Sequence, residues 1–343
     1  MSDPLLEDQG EQQELYEHFR FVVDGGQSLI RIDKYLAVRI ETASRTRIQS
    51  AADAGNILVN DRPVRSSYRV KPHDLIQILL PNPPRVIEMI PEDIPINIVY
   101  EDNEVIVVNK EPGMVVHPAY GNYTGTLVNA LMWHLRDNPL FSSGEMRPGL
   151  VHRIDKNTSG LLVVAKSELA HAHLARQFFE RTTERQYIAL VWGVPKPPEG
   201  TVTGNIGRNP RDRTLMYVFT DGSEGKHAVT HYRVIEELGY ISLIECRLET
   251  GRTHQIRVHM SHIGHPLFND GEYGGDRILR GTTFTKYQQF VRNCFMMLPR
   301  QALHARSLGF THPTTGKRLV FESELPDDMK QVIDRWRTYI ASR

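Results

Sequence analysis

The first third of the chain alternates between apolar spacing typical of helices and the two-residue period of strands. Two short helices are predicted from "RIDKYLAVRI" and "SRTRIQSAADAG", the second with a Ser cap at its start and a Gly at its end. Strands are predicted from "ILVND" and "DLIQILLP", with a tight turn at "NDRPV". Residues 28–81 are therefore predicted to form a small α/β domain.

A proline-rich stretch separates this segment from a longer one. "PNPPRVIEMIPEDIP" contains five prolines and cannot continue a helix or a central strand, so residues 82–95 are interpreted as a linker. Beyond it, strands are predicted from "INIVYEDNEVIVVNK", "GLLVVAK", "RQYIALVWG", "HAVTHYRVIEEL" and "ISLIECRLET", and helices from "TGTLVNALMWHL" and "LAHAHLARQFFERT". The order lacks the regular strand-helix alternation of a doubly wound sheet. Residues 96–343 are predicted to be an α+β domain with a mixed, largely antiparallel sheet.

The charges are balanced overall but unevenly distributed. The chain has 41 basic and 41 acidic residues. Residues 1–27 hold seven acids against one arginine, which predicts a flexible acidic tail, whereas residues 28–81 hold nine bases against five acids. Such a basic domain can neutralise phosphates, and the candidates are Arg31, Lys34, Arg45 and Arg47. The alternative is that Arg45 and Arg47 form only the solvated face of a helix.

Several classes of protein are excluded by what the sequence lacks. The two cysteines, Cys246 and Cys294, give neither a disulfide framework nor a zinc site and indicate a reducing compartment. No leader sequence and no apolar stretch of about 18 residues occurs, so a cytoplasmic protein without membrane contact is expected. Motifs of nucleotide hydrolases, dehydrogenases, zincins and common serine hydrolases are missing. His259, His262 and His265 are spaced by three residues, and this spacing does not keep their side chains on one face of a helix. No metal site is predicted.

Four polar clusters lie beside the ends of predicted elements. They comprise Lys110 and His117 in "NKEPGMVVHP", His152, Arg153 and Asp155 in "HRIDKNTSG", Arg185 and Tyr187 in "RQY", and Arg252, His254 and Arg257 in "GRTHQIRVHM". Thr253 is predicted to cap a helix that presents His254 and Arg257 on one face. Taken singly, each cluster could also have a purely structural role. Asp155 could bond backbone amides in a turn, and Tyr187 could be a half-buried strand aromatic.

Together, these clusters stand in stretches that resemble the pseudouridine synthases of the large-subunit ribosomal RNA and transfer RNA family. The stretches are "NKEPGMVVHPAYGNYTGTLVNAL", "RPGLVHRIDKNTSGLLVVAK", "RQYIALVWG", "LETGRTHQIRVHMSHIGHPLFND" and "QALHARSLGFTHP". Residues 28–81 resemble the S4 RNA-binding domain through "RIDKYLA", "SRTRIQ" and "ILVNDRPV". Glu111, Ile154 and Asn157 depart from the family pattern at positions beside the chemistry. Residues 275–297 receive no role from the resemblance.

The resemblance implies an isomerase that converts uridines of structured RNA to pseudouridine without a cofactor. The implied substrate is large-subunit ribosomal RNA, free or in assembly intermediates, with transfer RNA as an alternative, and a monomer is expected. Asp155 would act at the glycosidic carbon, as nucleophile or as acceptor of a proton from the neighbouring sugar carbon, with Arg257 as its ion-pair partner. Arg153 would enter the space left by the flipped nucleotide, and Tyr187 would stack on the uracil and take the carbon 5 proton. The residues implied in substrate binding also include Lys110, His117, His152, Arg185, Arg252 and His254.

Two other classes of function remain open from the residues alone. A catalytically silent RNA-binding or ribosome-assembly factor would keep the basic domain but would not need a carboxylate at position 155. A nucleoside hydrolase would also attack a glycosidic bond, but it would release free uracil. Product analysis separates the hydrolase from the synthase.

Overall fold

The chain folds into two compact units, Met1–Glu88 and Met89–Arg343. The computed structural model describes residues 15–40, 43–80, 90–118, 122–137 and 149–342. Most of the predicted linker, and the first half of the predicted acidic tail, lie outside these described residues. None of the described helices is long and apolar enough to cross a membrane.

The N-terminal unit is a four-stranded antiparallel sheet with two helices. Its elements are β1 (Tyr16–Val22), α1 (Ile32–Arg39), α2 (Arg45–Asp53), β2 (Ile57–Val59), β3 (Arg62–Pro63) and β4 (Leu75–Leu80), and the strand order is β1-β4-β2-β3. The predicted cap of the second helix is confirmed, because the Ser44 side chain accepts from the backbone N–H of Arg47. The predicted tight turn is also present. Asn60 and Asp61 both have positive φ, as a two-residue hairpin of this type requires.

The prediction of a flexible tail over residues 1–27 is wrong for its second half. Strand β1 lies in this segment and pairs along β4, and Phe19 and Phe21 pack against the core of the unit. Glu17 stays at the surface, where it accepts hydrogen bonds from Arg20 and Gln77. The acidic composition of residues 1–27 therefore concealed a strand that has one acid, Glu17, and whose residues Phe19 and Phe21 pack against the core.

The larger unit is built on one mixed sheet of eleven strands. The strands are β5 (Asn97–Glu101), β6 (Val105–Lys110), β7 (Gly149–Leu150), β8 (Ser159–Ala165), β9 (Glu184–Trp192), β10 (Glu199–Arg208), β11 (Met216–Phe219), β12 (Lys226–Glu237), β13 (Ile241–Leu248), β14 (Leu303–Thr311) and β15 (Arg318–Glu322). The main order is β11-β10-β12-β13-β9-β14-β8-β6-β5, with β15 on β14 and β7 on β8. The β8–β14 pairing is parallel and the other pairings are antiparallel. The predicted fold class is confirmed.

Helices cover both faces of this sheet. They are α3 (Leu127–His134), α4 (Glu168–Glu180), α5 (Gln255–His262), α6 (Thr285–Met297) and α7 (Asp327–Ala341). Residues from α5, including Ile256 and Met260, pack in the same cluster as Tyr187 of β9. Helices α6 and α7 form a second cluster with the other face, around Trp192 and Trp336. The central strand β9 is therefore buried on both sides and provides a rigid support for residues at its beginning.

Strands β8 and β14 approach each other closely just after the "HRIDKNTSG" turn. Gly160 has φ +116°, and a Cβ atom at this position would lie 2.3 Å from the carbonyl oxygen of Ala305. Any side chain would therefore push β14 away. This contact fixes the end of the turn that carries Asp155 against a strand from the C-terminal part of the chain.

Candidate active site

Seven of the predicted site residues line one pocket of about 90 Å³. They come from the turn before β8, the beginning of β9, the segment that joins β13 to α5, and the first turn of α5 itself. The seven are Arg153, Asp155, Arg185, Tyr187, Arg252, His254 and Arg257. The fold thus brings together residues that are about 100 positions apart in the sequence, such as Asp155 and Arg257.

Asp155 presents its carboxylate to this pocket from a short turn. The backbone N–H of Thr158 donates to the Asp155 carbonyl at 3.1 Å, which closes the turn. The carboxylate Oδ2 accepts from Arg257 Nη1 at 3.3 Å, and a fifth of the side chain remains exposed. The carboxylate is therefore oriented on one side and open to a ligand on the other.

Arg257 is bound more tightly by a second aspartate than by Asp155. Its Nε and Nη2 donate to the two oxygens of Asp270 at 2.7 and 2.8 Å, and Nη2 also donates to Glu272 at 2.8 Å. Burial alone would lower the pKa of Arg257, but the hydrogen bonds and charge of Asp270 raise it overall. The guanidinium therefore stays charged and is held in one orientation, from which it reaches Asp155.

Asp270 and Glu272 were missed by sequence reasoning. Asp270 ends a stretch that carries the family resemblance, and Glu272 lies two residues beyond it. A carboxylate beside a glycine is usually interpreted as an ordinary turn residue. Asn269 fixes this turn by donating to the carbonyls of Phe295 and Leu298 at the end of α6. Residues 275–297, which had no predicted role, thus provide support for Asp270.

His254 has a different backbone position from the predicted one. Helix α5 begins at Gln255, and His254 is its N-cap residue with φ +55°, so the predicted Thr253 cap is wrong. The left-handed backbone is costly for a residue with a Cβ atom and turns the imidazole toward the acids. Nδ1 lies 2.9 Å from the hydroxyl of Tyr273, and Nε2 lies 3.9 Å from Asp155 Oδ1. Burial lowers the pKa of His254, which favours the neutral ring.

Tyr187 and Arg185 form another wall of the pocket. Burial raises the pKa of the Tyr187 hydroxyl, so the phenol is protonated at neutral pH. Arg185 lies with its guanidinium carbon 5.4 Å from the centre of the Phe178 ring. Its Nη2 makes one long hydrogen bond, 3.5 Å, to the Leu248 carbonyl. The guanidinium therefore contributes positive charge to the pocket wall.

Three predicted substrate-binding residues do not line the pocket. Lys110 is buried, and its ammonium donates to the carbonyls of Glu111, Met114 and Lys156 at 2.7–3.0 Å, so this ammonium binds the protein backbone where a substrate contact was predicted. Burial lowers the pKa of Lys110 to about 7. His152 accepts from the backbone N–H of Val163 and stacks on Phe178, and these contacts are likewise internal. His117 is exposed, with Nδ1 3.0 Å from the Pro118 carbonyl oxygen.

The histidines at positions 259, 262 and 265 do not cluster as ligands. His259 is buried with Nδ1 2.9 Å from Thr230 Oγ1, and the Nδ1 of His265 lies 2.8 Å from the Trp192 carbonyl oxygen. Within the described ranges, no group of three or more His, Cys, Asp or Glu side chains could hold a metal ion.

The basic face of the N-terminal unit is organised by one buried aspartate. Arg31 and Arg45 both donate to the carboxylate of Asp33, which is fully buried, and Gln49 donates to it as well. Burial opposes ionisation, yet these hydrogen bonds lower the pKa of Asp33 to about 2. Arg31 and Arg45 therefore use some of their hydrogen-bond donors within the fold, whereas Lys34 and Arg47 are exposed.

Stability is expected to fall in mild acid because of buried imidazoles in the larger unit. Burial lowers the pKa of His152 to about 3 and those of His259 and His304 to about 4. Below the unfolded value of about 6.5, the unfolded chain binds protons that the folded chain does not, so the free energy of unfolding decreases as the pH falls from 6.5 toward 4. Urea denaturation across this range should show a shallower pH dependence for His259→Asn than for the unchanged protein. Identical slopes would contradict the assignment.

Comparison with known proteins finds matches for both units of the chain. The RNA pseudouridylate synthase family matches residues 104–262, and the S4 domain matches residues 30–76. An RNA pseudouridine synthase of Chlorobaculum parvum is 50% identical over 318 residues, which cover 92% of this chain and 97% of that protein. The ribosomal large subunit pseudouridine synthase D of Zymomonas mobilis is 45% identical over 306 residues, which cover 88% and 92%.

A solved structure supports the fold. The human RNA pseudouridylate synthase domain containing 4 protein superposes with a TM-score of 0.51 at 24% identity, over 70% of this chain and 93% of that one. The sequence relatives, which are matched over nearly their whole length, carry the assignment of family. The chain therefore belongs to the RNA pseudouridine synthases, as an isomerase with an N-terminal S4 domain.

Proposed function

We propose that this synthase converts specific uridines of large-subunit ribosomal RNA to pseudouridine, with Asp155 acting at the glycosidic carbon. The observation that carries the proposal is the placement of Asp155, whose carboxylate is held by Arg257 and opens into a pocket lined by further arginines. The choice of RNA is supported by relatives named as ribosomal large subunit pseudouridine synthase D in Zymomonas mobilis and Neisseria meningitidis. Transfer RNA is the alternative substrate.

The proposed chemistry needs one carboxylate and no activated water. The bond between N1 of uracil and C1′ of ribose breaks, the base rotates, and C5 bonds to C1′. C5 then loses its proton while N1 gains one, so the reaction is an isomerisation. Asp155 either attacks C1′ or takes a proton from C2′, and both routes require a carboxylate in a fixed orientation beside the sugar. The Arg257 contact supports such an orientation.

The proposed recognition step is extrusion of the target nucleotide from the RNA. The pocket lies in a recess whose lining includes Ile154, Tyr187 and Leu303, and a base stacked within a helix would reach it only when flipped out. Tyr187 would then stack on the uracil, which contributes about 1–3 kcal/mol for a typical base. Arg153, which is exposed at the pocket, would enter the space that the nucleotide leaves.

The S4 domain is proposed to bind RNA through its exposed basic residues. We expect Arg47→Ala to weaken RNA binding and to reduce the slope of log K against log salt by about 0.7–0.9 for each phosphate that is no longer neutralised. Arg47 is a better residue than Arg45 for this test, because Arg45 also forms a salt bridge with Asp33. Arg176→Ala, which changes an exposed arginine of the other unit, is the matched control. An equal reduction of the salt slope in both variants would argue against a specific role for Arg47.

The decisive experiment maps pseudouridines in total RNA from cells with and without the gene. Loss of one or more sites in large-subunit ribosomal RNA, restored by the unchanged gene, is the expected result. Loss in transfer RNA alone would replace the proposed substrate. Release of free uracil by the purified protein would instead identify a hydrolase.

A further inference from the structure

A buried arginine contacts the backbone of the turn that carries Asp155. Arg300 precedes strand β14 and is 7% exposed. Its Nη1 donates to the carbonyl of Asn157 at 3.0 Å, two residues beyond Asp155. The neighbouring side chain of Gln301 donates to Thr158 Oγ1 at 3.3 Å. Two consecutive residues before β14 thus contact the two residues that end the turn.

A second buried basic side chain binds the adjacent carbonyl. Lys110 Nζ donates to the carbonyl of Lys156 at 3.0 Å, so the carbonyls of residues 156 and 157 each accept a hydrogen bond from a buried basic side chain. The charge of Arg300 also contributes to the lowered pKa of Lys110, after the larger effect of burial. The polypeptide immediately after Asp155 is therefore fixed by both of these side chains.

Arg300 is itself oriented by the first turn of helix α7. Its Nε and Nη2 donate to the two oxygens of Asp328 at 2.7 and 2.8 Å, a bidentate pair that fixes the plane of the guanidinium. Asp328 is acidic in the first turn of the helix, where a carboxylate is stabilised. The helix is anchored by Trp336 and Ile333 in the apolar cluster. A continuous set of contacts thus runs from α7 through Arg300 to the Asp155 turn.

We propose that Arg300 and Asp328 are positioning residues for Asp155. Neither side chain lines the pocket, so they act through the backbone of residues 156–158 and not on the substrate. The inference rests on the proposed role of Asp155 as the reacting carboxylate. A displacement of about 1 Å at such a group can reduce a rate by about 10²-fold, whereas RNA binding depends on other side chains.

The test compares two bidentate ion pairs that helix α7 makes with other parts of the fold. Asp328 of α7 binds Arg300, and Arg337 of α7 binds Glu236. Asp328→Asn and Arg300→Lys should lower kcat, followed by proton release from C5 at saturating RNA, by about 10–100-fold, with RNA affinity unchanged within about twofold. Arg300→Lys keeps the charge but loses the fork that grips Asp328. The control is Glu236→Gln, because Glu236 binds Arg337 of α7 through two hydrogen bonds outside the contacts that support the turn. This variant should keep kcat within about twofold.

A readout independent of turnover accompanies the kinetics. Amide hydrogen exchange at residues 155–158 should become faster in Asp328→Asn and stay unchanged in Glu236→Gln. An unchanged kcat in Asp328→Asn, or an equal fall of kcat in Glu236→Gln, would overturn the positioning role. If Arg300→Lys does not fold, Asp328→Asn alone decides. Failure of the unchanged protein to form pseudouridine would refute the proposed function instead, while the exchange measurement would still report on the turn.

Discussion

Asp155→Asn is expected to abolish pseudouridine formation, with a loss on the order of 10³-fold or more, while the protein still folds and binds RNA. The amide is nearly isosteric with the carboxylate, and its oxygen can still accept from Arg257, so the turn should keep its geometry. An amide is, however, a poor nucleophile and a poor base, and both proposed routes require a carboxylate. Proton release from uridine labelled at C5 measures the loss.

Thermal unfolding and RNA affinity are measured on the same Asp155→Asn preparation as controls for fold and binding. Lys110 and Arg300 contact the backbone of the turn and not the Asp155 side chain, so they should preserve its structure in the variant. Turnover within about tenfold of the unchanged protein would assign the chemistry to another group.

The second large effect is expected at Asp270, where a buried ion pair would be broken. Asp270→Asn leaves the Arg257 guanidinium, 5% exposed, without its bidentate partner. Removing one member of a buried pair typically costs about 3–5 kcal/mol, and the remaining contacts to Glu272 and Asp155 should reduce this toward the lower limit. The orientation of Arg257 should change as well, so kcat should fall together with the free energy of unfolding. Urea denaturation and single-turnover kinetics measure the two effects.

Glu272→Gln is the matched control for this prediction. Glu272 also binds Arg257 at 2.8 Å, but half of its side chain is exposed, and such pairs contribute about 0–1 kcal/mol. The control should therefore change stability little. A larger loss of stability in Glu272→Gln than in Asp270→Asn would show that the exposed acid, and not the buried one, holds the arginine.

Much of the fold could be predicted because the apolar spacing within each element is local. The entirely buried strand β8 and the Ser44 cap of α2 follow directly from neighbouring residues. Strand β1 was not predicted in this way, because the acids on either side of it dominated the composition of residues 1–27, although the strand itself holds one acid, Glu17. The left-handed backbone conformation of His254 could not be predicted either, because such a residue at the start of a helix depends on the tertiary partners of its side chain.

The sequence predicted which residues lie together better than it predicted the contacts between them. Sequence patterns identified Asp155 and Arg257, but they could not show that Asp270 binds the arginine more closely. They also could not distinguish the ammonium of Lys110, which binds backbone carbonyls, from one that meets substrate. Such distinctions depend on burial and on partners far away in the sequence.

The parallel pairing of β8 with β14 has a consequence for the synthesis of the enzyme. Ser159 and His304, which are 145 residues apart, are joined across this pairing by a contact of 3.0 Å between their side chains. A nascent chain that ends before Arg300 lacks both this arginine and His304, so its Asp155 turn has neither contact. The supported Asp155 turn therefore forms only after Arg300 and β14 have been synthesised, and products truncated before them would carry the S4 domain without this support.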